Sequence, residues 1–199
     1  MGERRRESKA DSRIQQVDPQ RANGKAKRLV ERVQEKLGFV PNVFRVLANA
    51  PAALEGYLSF LEALADGAFE DRTRLQIALT VAETNLCAYS VSTHTLLAKK
   101  AGLTPEEIAD ATRACATDPR TDALLKLARA IVVQRGEVSD TELDRARGAG
   151  LTDSEVVETV ANVALNTFTI YVAHVARPAL DFQASRVARP PNGVEVRRG

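Results

Sequence analysis

The chain has 199 residues, 44% of them hydrophobic but only 5% aromatic, with no Trp; this is enough for one filled core, and apolar character resting on Ala, Leu and Val favours close-packed helices over sheet. The formal charge of +2 hides a division: residues 1–28 hold nine Lys/Arg against four Asp/Glu and residues 184–199 hold four against one, so the body between them is acidic by six charges and a basic, nucleic-acid-binding core is excluded. Two cysteines, Cys87 and Cys115, are too few for a disulfide scaffold or a four-cysteine zinc site, so any cysteine chemistry here is reactive chemistry.

Residues 1–24 open with GERRRESK after the initial Met, where basic side chains are mixed with acidic ones and aromatics for base stacking are missing. This reads as a disordered basic tail, not a nucleic-acid or membrane-surface arm. The N-terminal charges are not followed by an apolar h-region, so no signal peptide is expected and the chain is expected in the cytoplasm. A second disordered basic tail is expected over 184–199, which leaves 25–183 as one all-helical domain.

Helices are expected at about 25–37, 51–66, 71–86, 89–101, 105–116, 119–135, 140–148 and 153–176, an all-α bundle of about eight. Three of them open with a Ser or Thr followed three residues later by Glu, the reciprocal capping box: Thr104 with Glu107, Ser139 with Glu142, and Thr152 with Glu155. Pro105 and Pro119 suit first helical positions, with Asp118 as cap of the second. The β-branched run TFTIYV at 167–172 is expected as helix, because Val156, Val160, Val163, Ala164 and Phe168 carry helical spacing into it. Val156 to Ala176 is the longest apolar stretch, but Glu158, Asn162, Asn166 and His174 interrupt it, so no membrane span is expected. AGLTPEEI at 101–108 is echoed by AGLTDSEV at 149–156, which fits either a duplicated helical hairpin or two independent junctions of Gly C-cap and capping box.

Chemistry concentrates between Glu83 and His94. Glu83, Cys87, Ser90 and His94 sit at i, i+4, i+7 and i+11 and share one face of a continuous helix. If Asn85 breaks the helix, Cys87 falls at the start of the next one, where free N–H groups and the dipole stabilise a thiolate. His94 then suits proton transfer, Glu83 an acidic partner, and Tyr89 a hydroxyl donor. His174 lies in the apolar run of the last helix and is expected to pack at a helix or subunit interface. No metal, nucleotide or flavin site is expected, since ligand spacings and glycine-rich phosphate loops are missing.

The segment ETNLCAYSVSTH followed by AGLTPEEI resembles the alkylhydroperoxidase D/carboxymuconolactone decarboxylase superfamily, whose pattern is E-x-N-x-C-x-Y-C-x-x-x-H before an A-G-L-[TS]-x-x-E-I junction. The likeness extends through GFVPNVFRVLANAPAALEGYL before it and VALNTFTIYVAHVA after it, so residues of about 37 to 183 are covered. The resemblance implies an AhpD-like helical bundle, a homo-oligomer (trimer, dimer or hexamer) and a dithiol peroxidase. In that cycle the second Cys attacks the peroxide, becomes a sulfenic acid and is resolved by the first. Here Ser90 stands at the second Cys position. Leu75 stands where many members carry a further Glu.

Three readings follow. The first is a one-cysteine thiol oxidoreductase, with Cys87 as redox sulfur, His94 and Glu83 as proton-transfer partners, and an external thiol reductant or Cys115 resolving it. The second is a non-redox acid/base enzyme of decarboxylase, isomerase or cyclase type, using His94, Glu83, Ser90 and Tyr89 on a small organic substrate. The third is a non-catalytic oligomer with a decayed site. The first leads, on the retention of Cys87 and His94.

Overall fold

The computed structural model describes residues 12–182. Nine helices and no strand occur among them: α1 Gly24–Leu37, α2 Asn42–Leu47, α3 Pro51–Ala65, α4 Asp71–Thr84, α5 Ala88–Lys100, α6 Pro105–Thr112, α7 Pro119–Val133, α8 Asp140–Gly148 and α9 Asp153–Ala176. All three capping boxes form with both reciprocal bonds. Asp118 accepts from the Thr121 N–H, and Pro51, Pro105 and Pro119 occupy first-turn positions. The TFTIYV run is helical, with Thr169 Oγ1 donating to the Asn166 carbonyl at 3.0 Å and Ile170 fully buried.

The ninth helix, missing from the sequence expectation, is α2. Its cap comes from tertiary structure: Pro41 precedes it without a side-chain cap, and the Asn42 N–H donates to the Asp181 carboxylate at 2.9 Å. A six-residue helix with a partner 139 positions away leaves no local signal.

Helix α4 is the axis of the fold. Six consecutive residues, Ile77 to Ala82, are buried, and α5, α6, α7 and α9 pack around it. A helix buried on every side needs no polar face, and this one loses its amphipathic pattern in its middle turns. Helix α9 crosses the same core with Thr159, Asn162, Asn166 and Ile170 inward. By length and composition alone it could cross a membrane. Its buried polar groups are satisfied within the helix, Asn162 donating to the Glu158 carbonyl at 2.9 Å and Asn166 to that of Asn162 at 2.8 Å.

The sequence echo is a structural repeat. At a spacing of 48 residues, Leu103 N donates to Ala98 O at 2.9 Å and Leu151 N to Ala146 O at 3.1 Å. Gly102 and Gly150 adopt left-handed φ of 82° and 91° at equivalent turns. Arg72 pairs with Glu107 at 2.8 Å, and Arg120 with Glu155 at 2.5 Å. The repeating unit is three helices, α4–α6 against α7, α8 and the start of α9, which is larger than the expected hairpin.

Residues 12–23, expected as part of a disordered tail, follow a bonded path. Arg13 N donates to Ala176 O at 2.7 Å and Val17 N to Arg45 O at 2.9 Å, because the ends of α2 and α9 offer carbonyls beyond their own helical ladders. The tail expectations for 1–11 and 184–199 fall outside the described residues.

Candidate active site

Helices α4 and α5 are separate, and the break between them builds the site. Asn85 Nδ2 donates back to the Val81 carbonyl at 2.8 Å. Leu86 then takes a left-handed φ of 55°, and Cys87 N closes the turn on the Ala82 carbonyl at 3.0 Å. A left-handed leucine is strained by roughly 1–2 kcal/mol. Leu86 and Arg177, at φ 49°, are two of the four left-handed non-glycine residues described, and both border the same cleft.

Cys87 emerges as the N-cap of α5, 2% exposed. Unpaired N–H groups of the first turn and the helix dipole favour negative charge there. Its Sγ lies 3.3 Å from Ser90 Oγ, and Ser90 is buried as well. The sulfur therefore has one hydroxyl partner, one turn along its own helix.

Above it is a cleft of about 470 Å³ lined by Leu86, Cys87, Ala88 and Tyr89 on one side and by Ala173, His174, Arg177, Pro178 and Leu180 on the other. The second wall is the end of α9 and the strap after it. Tyr89 Oη accepts from Val43 N at 3.0 Å and donates to the Asp181 carboxylate, which also caps α2 through Asn42. Ser92 Oγ donates to the Phe182 carbonyl at 3.2 Å, and Phe182 meets Phe39 edge-on with centroids 5.1 Å apart. Burial and the Asp181 bond raise the Tyr89 phenol far above its ordinary value, so its proton stays engaged with the strap.

The expected constellation is brought together only in part. Cys87 and Ser90 meet, and Tyr89 lines the same cleft as Cys87. Glu83 does not join them: it is exposed in the last turn of α4, because the break at Asn85 and Leu86 ends the continuous helix on which its spacing depended. His94 lies one turn beyond Ser90 on α5, half-buried and outside the cleft lining. Its Nδ1 is enclosed without a hydrogen-bond partner among the described residues, and desolvation lowers its pKa to about 4. Tyr89 is a tether between α2, α5 and the strap, since its hydroxyl is already paired on both sides.

Two cleft residues were missed as site residues. His174, expected as interface packing, is exposed and lines the cleft. Arg177 lines it from the left-handed cap of α9. Their only sequence signal is position, two basic groups closing a long helix where the dipole favours them. Cys115 lies half-buried in the loop after α6, with Sγ 3.4 Å from the Asp110 carbonyl of that helix, and both cysteines are free thiols. Among the described residues no three His, Cys, Asp or Glu side chains gather as metal ligands. A second depression, of about 510 Å³, surrounds the α3–α4 loop. It holds no nucleophile, and its Arg72 and Arg74 are already paired.

An all-helical core with a cysteine at the N-terminus of the helix after its central one defines an AhpD-like class of protein. Residues 51–132 match the model of the carboxymuconolactone decarboxylase family. The fold is similar to the alkylhydroperoxidase AhpD core of an uncharacterized peroxidase-related protein from Ralstonia eutropha JMP134, with 24% identity and TM-score 0.74 over 86% of this chain and 93% of that one. An uncharacterized peroxidase-related protein from Silicibacter sp. TM1040 gives 20% identity and TM-score 0.74 over 89% and 95%. The debrominase Bmp8, in a Cys-to-Ala variant bound to 2,3,4-tribromopyrrole, gives 14% and 0.75 over 87% and 94%. No curated protein matches the sequence.

Proposed function

We propose that the protein is a one-cysteine thiol oxidoreductase acting on a small organic substrate, with an organic hydroperoxide as the leading class. The observation that carries this is the placement of Cys87 at the N-terminus of α5, at the floor of the cleft and against the Ser90 hydroxyl. The peroxidase-related neighbours support it as proteins of the same fold, and the debrominase, bound to a bromopyrrole, is consistent with a small-molecule cleft.

The Cys87 thiolate attacks one oxygen of the hydroperoxide, and the O–O bond breaks. Sulfur becomes a sulfenic acid, and the organic product leaves as an alcohol. A first external thiol condenses with the sulfenic acid, releasing water and leaving a mixed disulfide; a second restores the Cys87 thiol and departs as an external disulfide. The electrons come from the external thiols. Ser90 cannot supply them, and its hydroxyl instead hydrogen-bonds the sulfur. His94 stands one turn beyond Ser90 on α5, and its neutral imidazole can accept a proton. His174 and Arg177 face the substrate from the opposite wall and favour an oxygen-rich or anionic end, while Leu86, Pro178 and Leu180 favour an apolar remainder.

The test is intact-protein mass spectrometry after stoichiometric hydrogen peroxide and an organic hydroperoxide, with a sulfenic-acid trap and Cys87→Ala as control. Rapid trapping at Cys87 is expected, faster with the organic peroxide. A sulfur that stays reduced overturns the reading, and activity on a small organic substrate that survives Cys87→Ala would establish the acid/base alternative.

A further inference from the structure

One long helix face is left over by the fold. Along α9, Val157, Val160, Phe168, Tyr171 and Val175 are 68%, 47%, 40%, 59% and 60% exposed, and Ala164 between them is exposed too. At about 100° per residue these six positions fall in a stripe about 80° wide, and the 24 residues of α9 extend it along a helix of about 36 Å. Monomeric proteins rarely leave so continuous an apolar surface to water.

The stripe is symmetric about Ala164. Val160 and Phe168 stand four residues to either side, Val157 and Tyr171 seven, and Asp153 and Val175 eleven. A two-fold axis through Ala164 would set Val160 against Phe168 and Val157 against Tyr171 of the other copy, small opposite large, with the least bulky residue at the crossing. The ends are complementary in charge as well. Asp153, 80% exposed at its side chain and paired through one carboxylate oxygen with Arg147 of its own chain at 3.0 Å, opens the helix, and His174 with Arg177 closes it, so an antiparallel pair brings the free side of that carboxylate beside two basic residues and opposes the helix dipoles.

We infer that α9 is the seam of an antiparallel two-fold contact between two copies of this chain, centred on Ala164. In this arrangement the partner subunit's Asp153 arrives beside His174 and Arg177, so the second copy borders the cleft over Cys87. A two-fold seam fits the expected dimer or hexamer and cannot by itself build a trimer. The inference does not rest on the thiol reading, since the seam follows from α9 alone.

The experiment uses the full chain in a Cys115→Ser background. Ala164→Cys meets its own copy at the axis and should oxidise to a covalent dimer in high yield. Val157→Cys is the control: it sits seven residues from the axis, so its two copies lie about 21 Å apart at 1.5 Å per residue and should stay uncrosslinked. Ala164→Glu should weaken association at least 100-fold by sedimentation equilibrium while helical circular dichroism is retained. Wild-type chain that remains monomeric at high micromolar concentration overturns the inference, as does equal crosslinking of the two cysteine variants. Binding of wild-type chain to anionic vesicles through α9, without self-association, also overturns it and makes the stripe a membrane face.

Discussion

Cys87 Sγ and Ser90 Oγ face each other at 3.3 Å across the first turn of α5, and Ser90 stands where the alkylhydroperoxidase D-like pattern has its second Cys. Placing a thiol at 90 tests whether the rest of the site supports dithiol chemistry. Ser90→Cys is expected to form an intramolecular disulfide with Cys87 on mild oxidation, read as the loss of two hydrogens by mass, and to raise hydroperoxide turnover at least tenfold. Ser90→Ala should slow sulfenic-acid formation by about fivefold, near the value of one hydrogen bond. If both variants oxidise at the wild-type rate, Ser90 has no part in the chemistry.

Tyr89 ties three elements that are remote in sequence. Tyr89→Phe removes the acceptor of the Val43 N–H and the donor to Asp181, leaving a buried N–H unpaired at about 1–3 kcal/mol. The local consequence separates this role from catalysis: hydrogen exchange over the strap at 177–182 should accelerate more than exchange in α4. Uniform acceleration would mean that the phenol only supports global stability.

His94 predicts a pH dependence. Its pKa is lowered from 6.5 to about 4 by desolvation, so the unfolded chain takes up a proton below 6.5 while the folded chain stays neutral. Stability from this residue is complete above pH 6.5 and is lost as pH falls toward 4, with a slope of at most about 1.4 kcal/mol per unit. The capping glutamates Glu107, Glu142 and Glu155 have carboxyls held below their ordinary value by backbone N–H bonds from Thr104, Ser139 and Thr152, so their losses come at lower pH. Urea midpoints at pH 7, 6 and 5 should fall for the wild type and flatten for His94→Gln; parallel curves would assign the acid sensitivity elsewhere.

The repeat allows a matched comparison of two ion pairs. Glu155 is 12% exposed beside Arg120, and Glu107 is 38% exposed beside Arg72. Arg120→Ala should therefore cost about 1–2 kcal/mol and Arg72→Ala under about 1, because solvent screens the second pair more strongly. Thermal unfolding of the two variants reads this directly, and equal losses would show that burial of the carboxylate does not matter here.

Local chemistry was legible in the sequence wherever one turn of helix decides it. The capping boxes at Thr104, Ser139 and Thr152, the first-turn prolines and the helical TFTIYV run could all be read directly, because each depends on partners within four residues or on simple periodicity; the echo at 48 residues was visible, but its reading as a repeat waited for the three-helix unit. The pairing of Cys87 with Ser90 belongs to the same class. What lay beyond it was whatever a distant segment supplies. Helix α2 exists with Asp181 as its cap, His174 and Arg177 enter the cleft only because α9 ends above Cys87, and Glu83 turns outward because Leu86 goes left-handed and divides the helix. Spacing along a chain specifies which side chains share a face only while the helix continues. Where it breaks, packing against α4 and α9 decides which of them meet.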